Sequence, residues 1–263
     1  MERRYLMCPP TYFDVVYEIN PWMDTQVPVD HQAAMDQWSG LRAAYEAHGH
    51  TVELVEPGPG LPDMVYAANS ALVLDGVACL ARFRHPQRRG EEDLYAAWFE
   101  DHGFRVHRAA QVHEGEGDFA VAGDVILAGT GFRTDPAAHA EVARLFDREV
   151  VTLELVDPRF YHLDTALFVL DADRIIYNPA AFSERSRQEL QRRYPDAIVA
   201  DEVDAMAFGL NATADGYHVF LPAGAKGVIK RVADAGFEPV PIELTELLRG
   251  GGSVKCCTLE LRA

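Results

Sequence analysis

The sequence predicts an α/β protein made of five units that share one order of elements, related by pseudo-fivefold symmetry. In each unit, two short apolar strands joined by a tight turn precede an amphipathic helix, and a third strand follows the helix. Units of about 45 to 50 residues are too small to bury their own apolar faces, so neighbouring units must stack. We therefore expect one domain over residues 1–263 in which the five units close into a ring.

The clearest unit lies in the second fifth of the chain. Two apolar stretches, 70–74 and 77–81, flank Asp75-Gly76, a dipeptide that favours the tight turn of a β-hairpin. Apolar residues at helical spacing then predict a helix over 91–102, and a third extended stretch follows it.

Three further units repeat this order. Their paired strands are predicted at 119–121 with 125–127, 166–170 with 175–177, and 205–213 with 217–221. Their helices are predicted at 137–146, 183–193 and 226–235, and their closing strands at 150–155, 198–199 and 239–242.

The N-terminal unit is incomplete. It has an extended stretch over 12–17, a helix over 31–48 and a strand over 51–55, but it lacks a hairpin partner. The C-terminal residues 253–261 can supply that strand, which would close the ring.

The net charge and composition of the chain limit the kinds of molecule that it is expected to bind. With 24 Lys and Arg against 41 Asp and Glu, the formal net charge is −17. Such a field repels phosphate backbones and anionic membrane surfaces, so neither nucleic acid nor a membrane is expected as a partner. A cationic or zwitterionic small molecule is compatible with it. No signal peptide or membrane span is visible, so we expect a cytoplasmic protein with reduced thiols, and a homodimer is left open.

Pseudo-symmetry should bring equivalent positions of the units together at the centre. Just before the first strand of each unit, or on the closing strand, stands a polar or reactive residue, with separations of 49, 47, 46, 49 and 45: Asn20, Asn69, Glu116, His162, Asn211 and Cys256. A cysteine, a histidine and a carboxylate are the components of a nucleophile, its base and an orienting group. Taken singly, Cys256 and His162 would more often be core residues. Their combination favours chemistry, with Cys256, His162 and Glu116 as catalytic residues.

Motifs for other chemistries are missing from the sequence. It has no P-loop, no dinucleotide-binding fingerprint and no zinc-ligand spacing. We therefore expect no cofactor and no metal.

Three motifs resemble the guanidino-group-modifying superfamily: EGD at 116–118, YHLDT at 161–165 and GGGSVKCCT at 250–258. Its members have a five-bladed β/α-propeller, the pentein fold, and include arginine deiminase, dimethylarginine dimethylaminohydrolase and glycine amidinotransferase. The resemblance covers nearly the whole chain and implies Cys256 as nucleophile and His162 as base. The family's usual position for the carboxylate is occupied here by Gly115, so Glu116 is expected to take that role, with Glu114 as the alternative.

The resemblance also implies substrate-binding residues. Asp63 matches an acid of the second blade, whereas Asn69 stands where deiminases and dimethylargininases have another acid. Together with Asn20, this resembles the arginine dihydrolase branch, because two amides can hold a neutral ureido intermediate for a second attack. Arg133 matches the family's carboxylate-binding arginine. Arg88 either joins it or is a surface charge at the start of a helix.

The sequence thus predicts a cysteine-dependent hydrolase of the guanidino group of arginine or a close derivative. Conversion of arginine to ornithine, ammonia and carbon dioxide is the favoured reaction. Hydrolysis of dimethylarginine or arginine that stops at citrulline is the alternative. A non-catalytic propeller that serves as a binding module and an amidinotransferase are further alternatives.

Overall fold

Within residues 2–262, the strands form five three-stranded sheets, one for each unit of the sequence. A computed structural model describes residues 2–262. In each sheet the middle strand pairs antiparallel with one neighbour and parallel with the other. The main helix of each unit connects the middle strand to its parallel neighbour, which is the predicted ββαβ order.

The strands are short and are grouped here by sheet in the spatial order in which they pair. They are β15 (Leu259–Glu260), β1 (Arg4–Met7) and β2 (Thr51–Leu54); β3 (Ala71–Leu74), β4 (Val77–Leu80) and β5 (Arg105–Arg108); β6 (Phe119–Ala122), β7 (Val125–Thr130) and β8 (Glu149–Glu154); β9 (Leu167–Val169), β10 (Ile175–Tyr177) and β11 (Ile198–Val199); and β12 (Thr213–Ala214), β13 (His218–Pro222) and β14 (Glu238–Ile242).

Six α-helices accompany the sheets within the described residues. They are α1 (His31–Ala47), α2 (Glu91–Asp101), α3 (Pro136–Phe146), α4 (Glu184–Arg193), α5 (Glu202–Met206) and α6 (Lys226–Asp234). Between residues 2 and 262, no helix combines the length and apolar composition needed to cross a membrane.

The first sheet joins two distant parts of the chain. β15 pairs antiparallel with β1 through Tyr5↔Glu260 and Leu6↔Leu259, which confirms that the C-terminal residues supply the missing strand. The prediction of an extended strand at 12–17 was wrong. The strand of this unit is β1, and residues 12–17 form no strand. Phe13 and Val15 are buried between more exposed neighbours, and this alternation imitates a half-buried strand.

The second to fourth units agree with the sequence prediction, but the fifth differs at its first strand. The strand predicted over 205–213 is replaced by α5 and a turn, and only Thr213 of that range pairs in a sheet. The side chain of Asp201 accepts a hydrogen bond from the Asp204 amide, which caps a helix start within an apolar stretch.

Short 3₁₀ turns lead into the first strand of three successive units. Ala67–Ser70 precedes β3, Gly115–Gly117 precedes β6 and Leu163–Thr165 precedes β9. The middle turn contacts both of the others. These turns therefore bring residues that are almost 50 positions apart in the sequence into one place.

Gly115 is the point of closest approach between two of these turns. It has φ +52°, and a Cβ atom added there would lie 2.6 Å from the backbone nitrogen and oxygen of Ala71 and 2.7 Å from the Ala68 oxygen. Backbone atoms on both sides cannot give way as a flexible side chain can. Only glycine therefore lets the two turns pack at this distance.

This contact predicts that Gly115→Ala is far more destabilising than a glycine substitution that introduces backbone strain alone. Gly49→Ala is the matched control, because Gly49 has φ +81° but open space at the Cβ position. We expect Gly115→Ala to lower the free energy of unfolding by about 2 kcal/mol more than the control, measured by urea denaturation. Equal effects of the two substitutions would contradict the packing argument.

Candidate active site

Two side chains of the site come from equivalent positions of neighbouring units. Glu114 immediately precedes the turn Gly115–Gly117, and His162 immediately precedes the turn Leu163–Thr165. Both side chains are buried, and His162 Nε2 lies 2.8 Å from Glu114 Oε2. The carboxylate therefore fixes the ring through Nε2–H and leaves Nδ1 as the other ring atom available for chemistry.

Glu114 is a buried carboxylate with three hydrogen-bond partners, one of which is the backbone amide of Arg84 at 3.3 Å from its Oε1 atom. Besides His162, its Oε2 atom accepts a hydrogen bond from Arg133 Nη1 at 2.7 Å. Burial alone would raise the pKa of Glu114, but the Arg133 guanidinium and the His162 ring outweigh it and hold that pKa well below its usual value. Glu114 is thus ionised, and its negative charge interacts with Arg133 and His162.

The choice of Glu116 as the partner of His162 needs correction. The Glu116 carboxylate turns away from the histidine and pairs with Lys255 and Arg262, and it also accepts the Glu260 amide at 3.2 Å. Burial opposes its ionisation, but Arg262 and Lys255 lower its pKa overall. Glu116 occupies the middle of its turn, whereas His162 precedes its own turn, so the sequence comparison was offset by two residues.

Cys256 lies in a tight turn before β15 and is almost completely buried. Asn211 holds this turn, since its Oδ1 accepts the Cys256 amide at 3.0 Å and its Nδ2 donates to the Cys256 sulfur at 3.1 Å. The Cys256 carbonyl accepts the amide of Ala68 at 3.0 Å, which joins the turn to the one that carries Asn69. The predicted nucleophile and the predicted amide therefore stand on adjoining turns.

Asp164 is a site residue that the sequence analysis quoted within a motif but gave no role. The Cys256 thiol donates to its Oδ2 atom at 3.2 Å. Burial, opposed in part by that hydrogen bond, raises the pKa of Asp164 to about 7. Burial and the Asp164 charge in turn raise the pKa of Cys256 well above its usual value. The thiol of Cys256 therefore keeps its proton near neutral pH and donates it in the hydrogen bond to Asp164.

A signal for Asp164 was present in the sequence. Asn69, Glu116, Asp164 and Asn211 are separated by 47, 48 and 47 residues, which is a more regular series than the one that includes His162. Glu116 and Asp164 are the middle residues of their turns. Each of these two units therefore has two polar positions that are two residues apart, one just before the turn and one in its middle. The sequence analysis treated them as a single position.

Asp63 and Asn69 are both buried and both have one polar atom without a partner in the described structure. Asp63 Oδ2 accepts the Tyr17 hydroxyl at 3.0 Å, while its Oδ1 has no hydrogen bond. Asn69 Oδ1 accepts from Arg88 Nη1 at 2.7 Å, while its Nδ2 has no hydrogen bond. A Cβ atom at Gly117 would lie 2.5 Å from that nitrogen and 3.2 Å from His162 Nδ1, so both nitrogens pack close to Gly117 and a side chain at this position would collide with them.

The remaining predicted substrate-binding residues have protein partners. Asn20 lies in the segment between β1 and α1, where its Nδ2 donates to the Gly250 carbonyl at 3.0 Å. Arg133 also donates to the Ile19 carbonyl in that segment at 2.9 Å and lies over the ring of Tyr161. Arg88 is buried and paired with Glu91. Contact of these three residues with a substrate stays a prediction.

Four buried polar atoms at these positions have no hydrogen-bond partner in the part of the chain that the structure describes. They are Asp63 Oδ1, Asn69 Nδ2, His162 Nδ1 and Asp164 Oδ1. Buried polar groups are normally satisfied, so such a concentration suits a polar ligand. The two carboxylate oxygens and the imidazole nitrogen can accept from N–H groups of a ligand, and the amide nitrogen can donate to a ligand oxygen. Within residues 2–262, no group of three or more His, Cys, Asp or Glu side chains is arranged to hold a metal ion.

Comparison with known proteins agrees with this chemistry. Residues 18–263 match the family described as "N,N dimethylarginine dimethylhydrolase, eukaryotic". The chain is 54% identical to the N(G),N(G)-dimethylarginine dimethylaminohydrolase of Mycobacterium tuberculosis, over 98% of this chain and 86% of the relative. It is 40% identical, over 98% of its length, to the bifunctional arginine dihydrolase/ornithine cyclodeaminase ArgZ of Synechocystis, of which it spans 37%.

A solved structure extends the likeness to the fold. The N-terminal domain of an ArgZ variant, covalently bound to a reaction intermediate, superimposes with a TM-score of 0.95 and 38% identity over 99% of this chain and 98% of that chain. Fold and relatives together define a hydrolytic guanidino-modifying enzyme. Within that class, the chain belongs to the dimethylarginine dimethylaminohydrolase family.

The contact between Cys256 and Asp164 leads to a prediction for the thiol. Asp164→Asn removes the adjacent negative charge that helps to raise the pKa of Cys256, so that pKa should fall. The thiolate absorbance near 240 nm, titrated against pH and corrected with Cys256→Ser, measures this shift. Asp204→Asn replaces a buried acid that pairs with Arg231 on α6 and should leave the thiol titration unchanged. A rise of the thiol pKa in Asp164→Asn would contradict the assignment.

Proposed function

We propose that this enzyme converts arginine to ornithine, ammonia and carbon dioxide through two successive attacks by Cys256. The observation that carries the proposal is the Asn69 amide, which is neutral and buried and whose nitrogen has no hydrogen-bond partner and lies beside Gly117, as His162 Nδ1 does. An amide donor suits the oxygen of a ureido group, which is the intermediate that must be held for a second round.

The first round removes one guanidino nitrogen. Asp164 accepts the Cys256 proton, the thiolate attacks the guanidino carbon, and His162 gives a proton to the departing ammonia. His162 then removes a proton from water, which attacks the S-linked amidino carbon. The C–S bond breaks, the sulfur leaves as thiolate, and citrulline is formed in the site.

The second round cleaves the citrulline side chain. Cys256 attacks the ureido carbon, and the side-chain amine of ornithine departs with a proton from His162. Water hydrolyses the S-carbamoyl intermediate to carbamic acid, which decomposes to ammonia and carbon dioxide. Arginine and two waters thus yield ornithine, two ammonia molecules and carbon dioxide.

The surrounding groups have separate roles in this proposal. Glu114 keeps His162 oriented through its Nε2 atom, while Asp63 Oδ1 accepts an N–H of the guanidinium. Arg133 and Asn20 are proposed to bind the amino-acid end of the substrate, and this requires the Arg133 contact with Ile19 to be exchanged.

Relatives support the covalent route. The ArgZ structures include a covalently bound reaction intermediate and a Cys-to-Ser variant with substrate bound. The proposal takes the five units to surround the site as a closed propeller, for which the β15–β1 pairing and the contacting turns are the support.

Hydrolysis of dimethylarginine to citrulline is the second candidate. The Mycobacterium tuberculosis relative, at 54% identity, is named for that reaction, which favours it. Dimethylamine would then leave in the first round, and citrulline would be released instead of retained.

Product analysis by mass spectrometry distinguishes the two reactions. The enzyme is incubated separately with arginine, citrulline and asymmetric dimethylarginine, with Cys256→Ser as the inactive control. We expect ornithine from arginine. Citrulline as the final product from dimethylarginine would instead support the second candidate, and citrulline as the final product from arginine would indicate an arginine deiminase. Turnover by Cys256→Ser would contradict the role of this cysteine in either reaction.

The two glutamates of the Gly115 turn should differ in their effects. Glu114→Gln removes the charge that orients His162, and we expect kcat/KM to fall by at least about 100-fold. Glu116→Gln leaves Lys255 and Arg262 without their buried counter-charge, so it should lower the free energy of unfolding by about 3 kcal/mol.

Both glutamate variants are compared at a temperature where each is folded, with urea denaturation for stability and product formation for activity. An equal loss of activity in folded Glu116→Gln would show that the earlier assignment of Glu116 to the chemistry was correct.

A further inference from the structure

His113 stands directly before the buried glutamate of the site, and its ring bonds back onto the chain. The His113 side chain is buried, and its Nδ1 atom lies 3.2 Å from the backbone nitrogen of Gly115, two residues further on. A backbone amide can only donate, so Nδ1 is the acceptor of this hydrogen bond. The ring and the Gly115 amide therefore enclose the backbone of Glu114.

The His113 ring is neutral and carries its proton on the other nitrogen. Burial lowers its pKa to about 4, although the Glu141 charge opposes the shift. A neutral ring has one proton, and Nδ1 is occupied as an acceptor, so the proton is on Nε2. Nε2 lies 3.6 Å from the Cys79 sulfur, and the ring also has a hydrogen bond to the backbone of Leu80. These contacts fix the tautomer that accepts from Gly115.

The backbone of His113 is anchored as well. Its amide donates to the Arg82 carbonyl at 3.2 Å, and its carbonyl accepts the Arg82 amide at 3.1 Å, which forms an isolated β-bridge just after β4. Phe119, the first residue of β6, packs edge-on against the ring with 5.4 Å between the ring centres. The acceptor for the Gly115 amide is therefore held between two neighbouring units.

The backbone of Glu114 belongs to neither a helix nor a strand. It has φ −122° and ψ 54°, and Gly115 follows with φ +52°. Because no sheet ladder fixes this residue, its conformation depends on the amides on either side of it. The Glu114 amide donates to the Thr134 hydroxyl at 3.2 Å, and the Gly115 amide donates to the His113 ring. Loss of the ring would leave a buried donor unpaired and favour another conformation.

The direction of the Glu114 side chain determines its contact with the catalytic histidine. Its Oε2 atom lies 2.8 Å from His162 Nε2, and its Oε1 atom accepts the Arg84 amide at 3.3 Å. A displacement of the carboxylate by about 1 Å would take it out of hydrogen-bond distance from His162. The backbone at Glu114 therefore has to be held closely.

We infer that His113 is a positioning residue for the reaction, because its ring holds the backbone of Glu114 in the conformation from which the carboxylate reaches His162. The inference rests on the part of the proposed function in which Glu114 orients His162, and it applies whether ornithine or citrulline is released. His113 is assigned no contact with the substrate and acts through Glu114.

Two substitutions separate the hydrogen bond of His113 from the packing of its ring. Asparagine has an acceptor oxygen at the position of Nδ1 and bonds the amide two residues on in many turns. Phenylalanine keeps a flat ring against Phe119 but has no acceptor. We expect His113→Asn to keep kcat within about threefold of the wild-type value and His113→Phe to lower it by at least about tenfold. A role in packing alone predicts the opposite order.

A double variant and a spectroscopic signal test whether His113 acts through Glu114. In the Glu114→Gln background, His113→Phe should reduce kcat by less than about twofold further, because both changes remove the same orientation of His162. The His162 ring proton that is bonded to the Glu114 carboxylate should give a downfield proton NMR signal. This signal should persist in His113→Asn and disappear in His113→Phe.

His139→Leu is the matched control for the loss of a buried histidine. His139 lies on α3 of the same unit, and its ring nitrogens contact the Thr152 hydroxyl at 2.8 Å and the Gly129 carbonyl at 3.0 Å. Its loss should lower stability in urea but leave kcat and the NMR signal of His162 unchanged. All variants are compared at a temperature where each is folded, and His113→Ala carries the test if His113→Phe does not fold.

The outcomes distinguish the inference from the function on which it rests. Full activity of Glu114→Gln would overturn the role of Glu114 and the inference with it. Inactive Glu114→Gln, together with wild-type kcat in folded His113→Phe or with equal losses in His113→Asn and His113→Phe, would overturn the role of His113 alone. If the wild-type enzyme turns over neither arginine nor dimethylarginine, the proposed function fails, and the NMR comparison still tests the link between His113 and Glu114.

Discussion

The arrangement of the site depends on the buried carboxylate of Glu114. One oxygen of this group meets both the Arg133 guanidinium and the His162 ring, so a single charge orients two side chains from neighbouring units. The carboxylate reaches that point only because Gly115 allows its turn to pack against the backbone of Ala71. The close packing that Gly115 permits is thus a condition for the contact between Glu114 and His162.

The Cys256 sulfur and the Asn69 amide are held in position by other contacts. Asn211 and Asp164 give Cys256 one donor and one acceptor, so the thiol is held in place without being ionised outright. Asn69, in contrast, is oriented by a charged pair that it does not belong to.

Local sequence patterns predicted most of the fold, but the residues of the candidate active site were predicted less completely. The Asp75-Gly76 turn and the apolar stretches beside it determine a hairpin by themselves, as β3 and β4 show. The choice between Glu114 and Glu116 required knowing which residue precedes the turn, and φ +52° at Gly115 is invisible in a letter string. Arg88 pairs with Glu91 and also donates to Asn69, and only the folded chain brings Asn69 beside this pair.

The pairing of β15 with β1 has a consequence for how the molecule folds. Contacts between residues 5 and 260 span almost the whole chain, and loop closure over such separations is slow because its entropy is lost before the contacts form. The turn that holds Cys256 lies just before β15, so the thiol gains its neighbours as this sheet closes. A molecule that has not yet joined its ends therefore lacks an assembled nucleophile, and hydrolytic activity reports on complete folding.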